Sequence, residues 1–139
     1  MKQNAIVHFE IPADNVDRAI DFYKKTFGWI FMKFDMSGDG PTGGNPYYGV
    51  ITTDTDAKGM ATTPGAINGG LMKRTMPEQP FMNYIQTESI DTSIETVKSN
   101  GGEIVMPKTE IGKGMGWIAA FKDTEGNVMG LHQMPGVVV

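Results

Sequence analysis

Ile67-Asn-Gly-Gly-Leu-Met-Lys73 and Gly126-Asn-Val-Met-Gly-Leu-His-Gln133 decide how the chain is read. Both carry Gly-Leu, at Gly70-Leu71 and Gly130-Leu131. The second stretch follows the charged turn Lys122-Asp-Thr-Glu; Asp123 and Gly126 punctuate, and Val128 to Gln133 reads as a strand. Glycine inside a strand weakens it, and it often marks the close approach of another group. Two such strands, each with its glycine in the same place, point to an internal repeat.

Working outward, each strand closes a longer unit. Ala5 to Ile11 alternates, with Val7, Phe9 and Ile11 on one face and Ile6, His8 and Glu10 on the other. Pro12 ends that strand, and Asp14-Asn15 offers a helix cap. Val16 to Phe27 places Val16, Ala19, Ile20, Tyr23 and Phe27 on one helical face, stopped by Gly28. Strands follow at 29–34, 47–53 and 67–74, separated by Gly- and Pro-containing loops at 35–46 and 54–66. The second unit has a strand over 81–86, a helix over 90–100 ended by Gly101-Gly102, and strands over 103–107, 116–122 and 128–133. Val16-Asp17, Ile30 and Met32 match Ile90-Asp91, Ile104 and Met106 at one offset of 74 residues. The offset then shrinks, so the first unit has the longer loops. The pattern is one domain of two βαβββ modules, 5–74 and 81–134, joined by a two-proline linker at 75–80. Helices covering one sheet face leave the other to curl into a cup or to meet another chain.

Composition bounds the function. The chain has 139 residues, enough for one domain with a real core. A net charge of −4 and the lack of a basic stripe argue against nucleic acid. No apolar run has the length of a membrane span. Met1-Lys-Gln-Asn leads straight into a strand rather than a signal peptide, and the cytoplasm is the expected compartment. Cysteine is absent, which excludes disulfides and Cys-based zinc sites. Gly38-Asp-Gly-Pro-Thr-Gly-Gly44 lacks the Lys-Ser/Thr of a phosphate loop and reads as a mobile loop or lid. Lys113, in the matching loop of the second module, reads as solvated. There is no Gly-x-Ser-x-Gly motif and no Ser/His/Asp set.

The chain resembles the vicinal oxygen chelate superfamily, which holds glyoxalase I, bleomycin-resistance proteins, extradiol dioxygenases and fosfomycin-resistance proteins. The resemblance rests on Phe9-Glu-Ile-Pro and Asp17-Arg-Ala-Ile-Asp-Phe-Tyr-Lys-Lys-Thr-Phe-Gly-Trp29 in module one. In module two it rests on Ser99-Asn-Gly-Gly-Glu-Ile-Val-Met-Pro-Lys108 and Phe121-Lys-Asp-Thr-Glu-Gly-Asn127. It implies an α+β fold: tandem βαβββ modules forming a curled mixed sheet with helices on the outer face. One scaffold of this kind hosts many chemistries. Metal-dependent members take ligands from the first and last strands of each module. The matching positions here are His8, Met82, Gly70 and Gly130, of which His8 alone suits a divalent metal. The resemblance therefore implies a cup without a metal cofactor, binding a small molecule in the bleomycin-resistance manner. A displaced metal set of His8, Glu10 and His132 is the weaker alternative. The other alternative is a glyoxalase-like lyase or isomerase, or a dioxygenase-related enzyme, with His8 and Glu10 as acid–base pair.

The candidate ligand-binding residues are Tyr48, Gly70, Met72, Met82, Trp117, Gly130 and His132. Tyr48 and Trp117 stand on equivalent strands, where aromatic rings either sandwich a planar ligand or fill core. Met72 and Met82 suit an adaptable apolar wall. Gly70 and Gly130 either leave room for a ligand or allow tight packing. His132 either joins the cup or faces solvent. Homodimerisation is expected, since family members commonly pair.

Overall fold

Alternation along the first strand sets the core of the first module. Phe9, Ile11 and Ala13 on β1 (Ile6–Ala13) are buried, as are Val50 and Leu71. The apolar stripe of α1 (Val16–Phe27) lies on them through Val16, Ala19, Ile20 and Tyr23. The computed structural model describes residues 4–36, 38–112 and 114–135; Lys113 and the start of the chain at 1–3 fall outside them. The described chain divides into two compact units. One is His8–Phe81; the other runs from residue 82 onward and includes the strand residues up to Val7.

In the first unit the strands β2 (Ile30–Phe34), β3 (Tyr47–Ile51) and β4 (Gly69–Lys73) join β1 in the order β2-β3-β4-β1. β1 and β4 are parallel, and the other pairs are antiparallel. Asn15 caps α1 by accepting the Arg18 N–H at 2.9 Å. Gly28 ends it in the left-handed region (φ 72°), its N–H donating to the Lys24 carbonyl. The Tyr23 and Trp29 rings then stack at 4.9 Å and tie the helix end to β2.

The second unit repeats the plan with β5 (Met82–Gln86), α2 (Ile90–Ser99), β6 (Glu103–Glu110), β7 (Trp117–Lys122) and β8 (Val128–Gln133). Its order is β5-β8-β7-β6, with β5 and β8 parallel. Ser89 caps α2, and Ile90 is fully buried with Ala119 and Leu131. Tandem βαβββ modules, the expected α+β class, are what the chain adopts.

Several boundaries differ from the sequence reading. β1 runs through Pro12 to Ala13. The Ala13 carbonyl accepts the Arg74 N–H, so the Pro12 backbone faces away from β4 and its missing N–H costs that pairing nothing. β6 likewise runs past Pro107 to Glu110, as the outer strand of its sheet and with two register shifts against β7. β3 stops at Ile51 because the Asn68 side chain takes the Thr52 N–H at 2.8 Å and the Thr52 hydroxyl donates to the Ile67 carbonyl.

Candidate functional site

In the first module the face opposite α1 is built around Gly70. Gly70 pairs with Glu10 on β1 and with Gly49 on β3, so both neighbours on that row are fixed by register. Directly paired strand residues share a face, and side chains two apart on one strand do too. Glu10 and His8 therefore stand together beside Gly70, both half-buried. Tyr47 pairs with Met72, and its ring crosses diagonally over Gly70. A Cβ added at Gly70 would fall inside the Tyr47 phenol. Beyond the glycine, the Tyr47 hydroxyl lies 2.7 Å from His8 Nε2, and the two rings are nearly parallel at 19°.

The second module repeats the device with a different tyrosine. Gly130 pairs with Tyr84 on β5 and Ala120 on β7. A Cβ at Gly130 would fall within the Tyr84 ring. Met82, in the strand position equivalent to His8, is buried with Tyr84, Ile118 and Ala120. The room above each glycine is thus taken by an aromatic side chain of its own unit. Tight packing, not open space for a ligand, is the role these two glycines have in the fold.

The remaining candidates are placed as follows. Met72 is buried on the face of Gly70, with the Gln79 amide N–H donating toward its sulfur. Tyr48 pairs with Leu71 and packs on the α1 side with Phe9, Ile11 and Val50. Trp117 packs on the α2 side with Ile90, Ala119 and Leu131, under the Lys108 ammonium at 5.2 Å from the ring centre. Strand alternation puts both aromatics on the faces opposite Gly70 and Gly130, half-buried against the core. His132 shares the face of Gly130, between Ile118 on β7 and Gln86 on β5. It is half-buried rather than solvated, and that burial lowers its pKa below the ordinary histidine value.

A cleft of about 380 Å³ opens elsewhere in the first unit, at the start of α1, lined by Asp14, Asn15, Asp17, Tyr48 and Lys73. It contains neither His8 nor Tyr47. Its two carboxylates and one ammonium give it no consistent charge, and the Lys73 ammonium already donates to the Asp14 carbonyl.

A divalent metal held as in the metal-dependent members of the family does not fit these residues. The two glycine positions offer no donor, and tyrosine rings fill the space a carboxylate would occupy. Met82 is a thioether among apolar neighbours, a poor ligand for metals that prefer nitrogen and oxygen. Among the described residues no group of three or more His, Asp and Glu side chains is placed to hold a metal ion. What the first module offers instead is a phenol hydrogen-bonded to an imidazole, with a carboxylate on the same face. With the hydrogen on Nδ1, His8 Nε2 accepts the phenol O–H; with it on Nε2, the imidazole donates to the phenol oxygen. Tyr47 was missed from sequence because it neighbours the expected Tyr48 and lies on the opposite face. The signal was Gly70, whose missing side chain clears the place the ring lies in.

This fold defines a class: it is a vicinal oxygen chelate scaffold, here with glycine at both last-strand ligand positions. Residues 5–131 match the sequence profile of the Glyoxalase/Bleomycin resistance protein/Dioxygenase superfamily, and the chain belongs to that superfamily. It is 30% identical over 131 residues to a glyoxylase-like domain-containing protein of Didymella fabae, covering 91% of each chain. It is 31% identical over 116 residues to the putative glyoxylase CFP32 of Mycobacterium bovis, covering 81% of this chain but only 39% of that protein. Among solved structures, a methylmalonyl-CoA epimerase in complex with methylmalonyl-CoA superposes with TM-score 0.68 at 15% identity, covering 98% of each chain. A hypothetical protein from Bacillus halodurans does so with TM-score 0.67 at 15% identity, covering 99% of each. At such identities the likeness is one of fold.

Among the described residues no helix is long and apolar enough to cross a membrane.

Proposed function

We propose that the chain binds a small molecule on the face of its first module that carries His8, Glu10 and Tyr47, without a metal. The observation that carries this reading is the Tyr47 phenol seated over Gly70 with its hydroxyl on His8 Nε2. A side chain held this way is pre-positioned, so little ordering entropy is lost when a ligand oxygen meets it. Protein purified without chelator and assayed for Zn, Ni, Mn and Fe should carry none in stoichiometric amount. Metal bound at one per chain and lost in His8→Ala would overturn the metal-free reading.

The same hydrogen bond favours a second reading, a lyase or isomerase of the glyoxalase type. There His8 would take or return a proton at a substrate carbon or oxygen, with Glu10 on the same face as a second base and the phenol steadying developing charge. The acyl-CoA epimerisation named for the structural neighbours is one member of this class, and fold likeness alone brings it here. Turnover abolished by His8→Ala and reduced by Tyr47→Phe would favour the enzyme; binding with no turnover would favour the binding protein. A homodimer is part of the proposal, and a monomer mass by light scattering at micromolar concentration would remove it.

A further inference from the structure

The face that carries His8 and Tyr47 continues outward onto β2. Register joins Met32 to Gly49 and Gly70 in one row, and Phe34 to Tyr47 and Met72 in the next. The Phe34 ring lies over Gly49 just as the Tyr47 ring lies over Gly70, within 3.2 Å of where a Gly49 Cβ would be. The aromatic rings thus lean one after another toward His8. Along the outer strand the same face shows three large apolar side chains: Ile30 is 58% exposed, Met32 49% and Phe34 42%. Their alternates Trp29 and Phe31 pack on the α1 side, so the exposed row is not overflow from a core that lacked room. Apolar side chains beside a few positioned polar groups are the kinds of group that small-molecule sites combine.

We infer that the ligand is a flat apolar molecule carrying one hydrogen-bonding oxygen, its oxygen at the Tyr47–His8 pair and its body on Ile30, Met32 and Phe34. The inference rests on the small-molecule reading above and names its ligand class. Two features select for this shape. The polar end offers a phenol, an imidazole and the Glu10 carboxylate in a small area, and the rest of the row offers no charge except Lys33, whose alternation sends it to the other face. The glycines at 49 and 70 keep the floor low, so a planar body can lie along the rings instead of standing above them. Methionine at the centre adapts to different outlines.

The probes are 2-naphthol, a two-ring body with one hydroxyl, and hydroxyacetone, a small polar carbonyl compound, each titrated into the full chain by NMR. The expected result is that 2-naphthol shifts the signals of Met32, Phe34 and the His8 ring. Its affinity should fall about ten-fold in Met32→Glu, which puts charge where the body lies, and about five-fold in Tyr47→Phe, the worth of one neutral hydrogen bond. Met32 is exposed on an outer strand, so that variant keeps the fold, and unchanged chemical shifts in the α1 core check it. Equal affinity for 2-naphthol in wild type and Met32→Glu would overturn the inference. Binding of hydroxyacetone at His8 with no response to 2-naphthol would overturn the ligand class and leave the small-molecule reading standing. No response at His8 to either probe would overturn both. Line broadening at Met32 and Phe34 that rises with protein concentration and disappears in Met32→Glu would assign the row to a second copy of the chain, against the inference.

Discussion

At the scale of single residues, the backbone does not require Gly70: it is absent from the glycines with positive φ, so alanine suits its conformation. The constraint is the Tyr47 ring in the place of a Cβ. Gly70→Ala should therefore cost about 1–3 kcal/mol, the range for overpacking, read as a lower urea midpoint at unchanged slope. In a Tyr47→Ala background the same change should be neutral or stabilising, because alanine loses less backbone freedom on folding than glycine. Additive effects in that cycle would mean that the ring is not what Gly70 serves. His132 gives a pH prediction. Burial lowers its folded pKa below the unfolded value near 6.5, so the unfolded chain binds the proton more tightly. The contribution is fully present above pH 6.5 and is lost as pH falls from there through the folded pKa. Denaturation midpoints measured from neutral pH downward should drop more steeply in wild type than in His132→Asn; parallel profiles would clear His132 of the effect.

At the scale of elements, most of the plan could be read from sequence because the signals are local. Asn15 and Gly28 bracket α1 where cap chemistry places them, and alternation sorts Phe9 and Ile11 from His8 and Glu10. Asn15→Ala should cost about 1 kcal/mol, measured as a shift in urea midpoint, since one helix N–H loses its acceptor. An unchanged midpoint would mean that water replaces the cap at no cost. The β7–β8 turn is as local. The Asp123 carboxylate accepts the N–H groups of Glu125 and Asn127, with Gly126 at φ 85°. Those bonds, the Asn127 N–H first, lower its pKa below 3.8, so its support is present above that value and fades as pH falls through the folded one. Asp123→Ala should speed hydrogen exchange at Asn127 and leave α1 unaffected; equal exchange in both chains would contradict this. Strand ends were harder to read. Whether Pro12 or Pro107 ends a strand depends on which side its backbone faces, and that depends on a partner strand far away in sequence.

At the scale of the whole molecule, the repeat shows what sequence can and cannot deliver. Gly70 and Gly130 occupy one register slot, beside Glu10 and Tyr84 on the equivalent first strands, and this much follows from the offset between modules. The tyrosines that cover the glycines do not. Tyr47 comes from the third strand of its module and Tyr84 from the first, so no offset pairs them, and which ring reaches a glycine is settled by side-chain direction across neighbouring strands. The placing of His8 and Glu10 on one face was therefore legible, and the Tyr47 ring beside them was not. The metal question follows the same division, because the missing donors are visible in the sequence while the filled space is visible only in the fold. A metal that binds the folded chain and not the unfolded one raises its melting temperature, by an amount worth about 2.7 kcal/mol at a hundred times its dissociation constant, which is several degrees for a chain of this size. With Tyr47 and Tyr84 packed where carboxylates would reach inward, saturating Zn, Ni or Mn added to chelator-treated protein should leave the melting temperature unchanged. A rise that survives in wild type and vanishes in His8→Ala would show that the scaffold has rebuilt a metal centre by a route other than the positions its relatives use.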